Sequence, residues 1–254
     1  MKILLLALSS GIAVALPSAG KTQDWTGTVG IGVVSGPTFS GSDETETGFG
    51  LDIDIEWRNR FFLNERGVGA YVYQPNGADG FRFGLALGYD FSGRSVDDDA
   101  RLAGLSEVDG SAAFTAFIEY DLGFADLEFE LSKALGSSGH EGLTAEAGLE
   151  FSTPVGERTL LSVTPYLRWG DDSYTSALYG VSSADSAASS FSQFDAGSGV
   201  ESYGLSLSVA HQFTETVGVF GAIDYSMLSG DAADSPIVFD DSQTSVTLGV
   251  FYSF

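Results

Sequence analysis

From Trp25 onward, apolar and polar positions along the chain repeat with a period of two. Phe49, Leu51, Ile53, Ile55 and Trp57 leave Gly50, Asp52, Asp54 and Glu56 on the other face. Phe81, Phe83, Leu85, Leu87, Tyr89 and Phe91 alternate in the same way with Arg82, Gly84, Ala86, Gly88 and Asp90. The pattern returns at 127–131, 143–151 and 203–213, and at about 25–34, 110–121, 158–169 and 216–228, and it closes at 243–254. A period of two places successive side chains on opposite faces of a strand. The strong runs have about 10–12 residues, the span of a tilted strand across a bilayer.

The same alternation fits a soluble sandwich, whose apolar face packs on a second sheet. Three features favour an all-β transmembrane antiparallel up-and-down barrel. The polar face carries carboxylates and glycines in nearly every strand, which suits a wet lumen. Aromatics (Trp25, Trp57, Tyr120, Trp169 and Phe254) mark strand ends, as interfacial girdles require. The connections alternate between very short and long.

Barrels of this kind have short periplasmic turns and an even strand number. Counting back from a periplasmic Phe254 places 230–241, 170–200, 136–141 and 93–110 outside, and the turns at 214–216, 154–158 and 122–124 inside. Only eleven strands are then evident. The weak segment FFLNERGVGAYVY (61–73) resolves this if it hides a turn at Glu65–Gly67 between two short strands. Twelve strands are expected, with ten as the alternative.

At the N-terminus, Lys2 precedes the apolar run Ile3–Leu8 and a small-residue region, the layout of a secretory signal peptide over residues 1–20. Cleavage is expected between about 15 and 20, after Ala13-Val14-Ala15 or nearer Ala19–Gly20. Residues 21–254 then form one barrel domain. The chain has no cysteine, so neither a disulfide nor a lipid-modified cysteine is available. A formal charge of −24 argues against nucleic-acid binding, which needs a positive footprint.

The segments between strands add a resemblance. PTFSGSD (37–43), GYDFSGRSVDDDARLAGLSEVDG (88–110), YLRWGDDSYTSALYGVSSADSAASS (166–190) and SGDAADSPIV (229–238) occur in order. Together they resemble the MipA/OmpV family of Gram-negative outer-membrane proteins over nearly the whole mature chain. The stretch after WGDD, Ser173 to Leu178, is less aromatic than the family pattern. The resemblance implies a scaffold that contacts a lytic transglycosylase and a bifunctional penicillin-binding protein, and so a link to peptidoglycan remodelling. Other members imply osmotic or adhesive roles. The family has no established catalytic residues to carry over.

Candidate chemistry lies mainly in the lumen. Parity collects Asp52, Asp54, Glu56, Asp90, Glu119, Glu128, Glu130, Glu146, Glu150 and Asp224 there, faced by Arg82 and Arg168. Unpaired buried carboxylates are costly. The arginines are therefore expected to anchor a polar network that partly closes the barrel, the rival being an open cation-preferring pore. The two histidines, His140 and His211, have no Cys, His or Asp neighbour at ligand spacing, and no serine sits in a nucleophile elbow. No enzyme activity, cofactor or resident metal is expected. The acidic clusters 97–99, 171–172, 231/234 and 240–241 read as solvated loops and turn caps rather than calcium loops. Tyr252 and Phe254 give the chain a terminal aromatic signal of the type read by the barrel-assembly machinery, and the lipid of the outer membrane is the remaining partner.

Overall fold

The computed structural model describes residues 24–77, 80–136 and 139–254; the segment read as a signal peptide lies outside them. Twelve antiparallel strands close into one barrel. In chain order they are β1 (Trp25–Pro37), β2 (Thr45–Trp57), β3 (Phe61–Asn64), β4 (Gly67–Tyr73), β5 (Phe81–Asp90), β6 (Ser111–Asp121), β7 (Asp126–Ala134), β8 (Leu143–Val155), β9 (Thr159–Gly170), β10 (Gly199–Gln212), β11 (Val217–Leu228) and β12 (Ser242–Ser253). The weak segment does hold two short strands around a turn, and the count is twelve. Each strand pairs with its sequence neighbours, and β1 closes the ring on β12 with Val29 opposite Tyr252.

Closure removes nearly every sheet edge, and in hydrocarbon an unsatisfied backbone group costs on the order of several kcal/mol. Alternation then sorts the side chains. Ile31 is 61% exposed, Phe49 66% and Leu248 65%, and they form an apolar outer band. Thr28, Thr115, Ser162, Thr164, Ser206 and Thr247 point inward and are buried. Gly27 and Phe254 exchange two backbone hydrogen bonds (3.2 and 3.1 Å), so β1 and the last residue meet at one rim. There Trp25 lies across from Trp57, their rings 6.0 Å apart. The short turns share this rim, which makes it the periplasmic end.

The long connections gather at the opposite end and carry the helices of the described residues: α1 (Asp172–Tyr179), α2 (Ser183–Ala188) and α3 (Asp231–Asp234), with a 3-10 turn at Ala100–Leu102. No described helix is long and apolar enough to cross a membrane.

The β3–β4 hairpin is far shorter than its neighbours. β2 pairs with β3 only from Ile55 to Trp57, and the pairing of β4 with β5 ends at Val68 and Leu87. The hairpin turn therefore stops inside the wall rather than reaching the outer rim.

Candidate functional site

The recessed turn places Arg66 inside the barrel. Asn64 shapes the turn by accepting the Arg66 backbone N–H (3.0 Å). The Arg66 guanidinium then donates from Nε to Glu130 (2.8 Å), from Nη1 to Glu119 (3.1 Å) and from Nη2 to Glu128 (3.4 Å), all on β6 and β7. Its face rests 4.5 Å from the centre of the Phe117 ring. Arg82 on β5 reaches the other Glu119 oxygen at 2.6 Å and Glu56 at 3.8 Å, and stacks over Tyr71. Glu119 thus bridges two guanidiniums, a geometry suited to arginine's planar fork.

Beneath the arginines sits an aromatic cluster of Phe62, Tyr71 and Phe117, with ring centres 5.2 to 5.8 Å apart. It packs because the paired position on the neighbouring strand is bare. A Cβ at Gly84 would stand 2.2 Å from the Phe117 ring, and one at Gly69 would stand 2.2 Å from Phe62. Phe220 and Phe251 project inward with Ala210 from the β10–β12 side. Arginine, glutamate and aromatic side chains together occupy the periplasmic half of the lumen.

Of the lumen residues expected from parity, Arg82, Glu56, Glu119, Glu128 and Glu130 come together here. Arg168 does not join them. It pairs with Glu146 on the neighbouring strand (2.9 Å), so the arginines anchor two separate groups rather than one network. Asp224 accepts from the Tyr166 hydroxyl (2.9 Å), and Glu150 accepts from Ser152 and Ser162. Asp52 and Asp54 face inward on β2, and among the described residues no hydrogen bond or ion pair reaches either carboxylate. Asp90 takes a different role, at the rim. It lies 2.9 Å from His140 Nε2, while His140 Nδ1 accepts the Gly142 N–H (3.0 Å). Spacing along the chain suggested no acidic partner for His140; the barrel supplies one from fifty positions away. His211 hydrogen bonds Thr159 at the outer surface of the wall (2.8 Å).

Arg66 is not legible as a lumen residue in the sequence, because a polar turn between short strands looks like solvent-exposed loop. The signal that could have found it is the brevity of the two strands, which keeps their turn at the height of the β6–β7 glutamates.

The outer end is covered by a cap built from four connections. One apolar core joins Val108, Tyr174, Leu178, Tyr179, Ala196, Leu228 and Ala232; a second joins Phe39, Leu102, Val181 and Ile237. Tyr179 and Val181 are fully buried. Arg94, itself buried, donates to the carbonyls of Ala177, Leu178 and Gly180 at the C-terminus of α1, and to Ser106. A cation at that end complements the helix dipole and caps its free carbonyls. Burial pulls the Arg94 guanidinium below its ordinary value.

Asp171 caps the N-terminus of α1 and Asp172 accepts from the Ser198 N–H. Asp231 accepts from the Gly197 N–H, and Asp240 caps the turn into β12. Asp98 caps a turn at Ser95, and Asp99 pairs with Arg101, which also holds Asp43. Among the described residues no three acidic or histidine side chains come together as a metal set. The segments around 37–43, 88–110, 166–190 and 229–238 all contribute to this cap. The less aromatic stretch after WGDD forms α1, whose Tyr174 and Leu178 are buried in it.

Between cap and plug lies a cavity of about 480 Å³. Serine and threonine hydroxyls, Arg168, Asp224 and Glu201 line it. Tyr174 donates to Glu201 Oε1 at 2.9 Å and Tyr179 donates to the same oxygen. Glu201 Oε2, buried, has no hydrogen-bond partner among the described residues. Burial first, and the Glu201 charge second, push both tyrosine hydroxyls well above their ordinary range.

The family model described as MltA-interacting protein MipA matches residues 29–254. The chain belongs to this family. It is an outer-membrane β-barrel, and the apolar band, the closed ring and the one-sided long loops are those of a membrane protein. Among curated proteins none matches the chain. Solved structures resemble it at low identity. The NanC porin in a rhombohedral crystal form is 11% identical, covering 89% of this chain and 100% of its own, with a TM-score of 0.49. In-vitro folded OmpT, an outer-membrane protein of Vibrio cholerae, is 11% identical over 91% of this chain and 97% of its own, with a TM-score of 0.36.

Proposed function

We propose that this family member is a closed, non-enzymatic interaction barrel linked to the peptidoglycan synthesis and hydrolysis machinery. The observation that carries the reading is obstruction of the lumen at two heights. Arg66 and Arg82 with their glutamates and the Phe62–Tyr71–Phe117 cluster fill the periplasmic half, and the loop cap covers the outer mouth. The link to a lytic transglycosylase rests on the family's name, and that to a bifunctional penicillin-binding protein on family resemblance alone. The non-enzymatic part is supported by His140, both of whose ring nitrogens are engaged, by Asp90 and by a backbone N–H. A general base needs a free nitrogen within reach of a substrate proton.

The test is site-specific photocrosslinking in intact envelopes from the periplasmic turns, at Gly123, Gly156 and Thr216. Recovery of a lytic transglycosylase or a penicillin-binding protein is the expected result; recovery of neither counts against the peptidoglycan link. The alternative, a small cation-preferring channel, is favoured only by the acidic excess of the lumen, notably unpaired Asp52 and Asp54.

A further inference from the structure

The recessed β3–β4 hairpin leaves a notch in the barrel wall. β2 is paired along its whole length with β1, from Thr45 opposite Pro37 to Trp57 opposite Trp25. On its other side it is paired only at Ile55–Trp57. Among the described residues, that edge has no strand beside it from Thr45 to Ile53, Asp54 lying next to the end of β3. Across the gap β5 runs on past its last pair with β4, through Gly88 to Asp90, and among the described residues no ladder joins β2 to β5. Where β3 and β4 lie between them, β2 and β5 are separated by three strand spacings of about 4.8 Å, and beyond the turn no described strand stands between them.

The notch faces the membrane. Phe49 and Leu51 point outward at the height of Val33 and Ile31 on β1, within the apolar band. The inward face of the same edge carries Glu46, Gly48, Gly50, Asp52 and Asp54. The free edge thus offers three things together: a row of backbone donors and acceptors, an apolar outer side and an acidic inner side.

Each feature narrows the occupant. Acyl chains cannot satisfy backbone groups. Anionic lipid headgroups and a second copy of this chain would both set like charge against Glu46, Asp52 and Asp54. We propose that the notch takes an extended segment of a partner polypeptide as an added strand along Thr45–Ile53. Its apolar side chains lie beside Phe49 and Leu51, and its basic side chains face Asp52 and Asp54. Backbone pairing supplies the affinity and the alternate side chains the selection. This deepens the interaction-barrel reading and rests on it, by giving the barrel a second docking surface besides its periplasmic turns.

The test uses the whole barrel in nanodiscs of zwitterionic lipid and a labelled ten-residue peptide alternating valine with lysine, followed by fluorescence anisotropy. A glutamate counterpart tests charge. A lysine peptide N-methylated at alternate backbone nitrogens keeps its charge but cannot form a ladder. Saturable binding of the lysine peptide is expected, at least tenfold tighter than either control, and about tenfold weakened by Asp52→Asn with Asp54→Asn. Equal binding of the N-methylated peptide would reduce the effect to surface charge and overturn the proposal. So would a disulfide-linked dimer of Phe49→Cys, which would assign the edge to a second copy. Should the paired variant misfold, the comparison of peptides on the unaltered barrel still decides. A steady conductance would instead sink the interaction-barrel reading itself, so the two failures are distinguishable.

Discussion

Arg66 and Glu130 are sixty-four positions apart in the chain, yet the guanidinium Nε donates to the carboxylate at 2.8 Å inside the barrel. The contact exists because the β3–β4 turn ends at the height of the β6–β7 glutamates. Replacing Arg66 by Ala leaves Glu128 and Glu130 without their partner and Glu119 with Arg82 alone. The guanidinium is buried but Glu128 and Glu130 keep part of their exposure, so the loss is about 1.5–3 kcal/mol, the range of hydrogen bonds to charged groups. Urea unfolding in detergent, followed by tryptophan fluorescence, should show that loss, with Arg66→Lys falling between. An unchanged midpoint for Arg66→Ala would show that the pair contributes nothing.

The aromatic plug depends on a bare wall. Gly84→Ala sets a methyl where the Phe117 ring now lies, 2.2 Å away, and overpacking of this kind costs about 1–3 kcal/mol. Combining it with Phe117→Leu should recover part of the loss, read from the temperature at which the folded electrophoretic band disappears. Additive loss in the double variant would mean that the ring and the glycine are not coupled.

Much of this barrel is legible in the sequence, and the gaps have one physical cause. Alternation reports which face a side chain occupies, so the inward positions of Arg82, Glu119 and Glu146 follow from parity. It does not report height, which is set by hydrogen-bond register between strands. Hence Arg66 looks like loop, Arg82 and Arg168 look like one network, and the Asp90–His140 pair is invisible. The turn within 61–73 was readable from chain topology, since an even strand count demanded it; how far below the rim it stops was not. The cap was hidden for a different reason. Its apolar residues, such as Phe39, Val108 and Ile237, are scattered singly through polar loops and acquire a pattern only when four connections meet.

Acid should loosen the cap. A hydrogen bond from Arg101 holds the Asp99 carboxyl below the usual aspartate range. Burial pushes Asp185 up, but hydrogen bonds from Ser182 and Ser106 outweigh it and leave this group lowered too. Groups depressed in the folded state contribute stability that is present above the ordinary aspartate value of about 3.9 and is lost as pH falls through their folded values. Pepsin cleavage of the loops should therefore rise steeply below about pH 4 while the strands stay protected. Asp185→Asn should raise loop cleavage above that pH and flatten the profile. A profile identical to that of the unaltered protein would show that Asp185 does not hold the cap.

The final residues are expected to serve assembly as well as packing. Tyr252 and Phe254 stack at the periplasmic rim, with ring centres 6.3 Å apart. Deleting Phe254 removes its backbone pair with Gly27 and the terminal aromatic together, whereas Phe254→Ala removes only the ring. Both changes should lower the folded, membrane-inserted fraction in cells several-fold, while Phe254→Trp should retain it. Full assembly of Phe254→Ala would restrict the residue to closing the barrel.

The closed interaction barrel is tested most directly by current recordings from the purified, folded protein in planar bilayers. With the Arg66–Glu119 plug and the loop cap in place, no steady conductance is expected, and small steps only after Arg66→Ala is combined with Phe117→Ala. A stable cation-selective current through the unaltered barrel would contradict it.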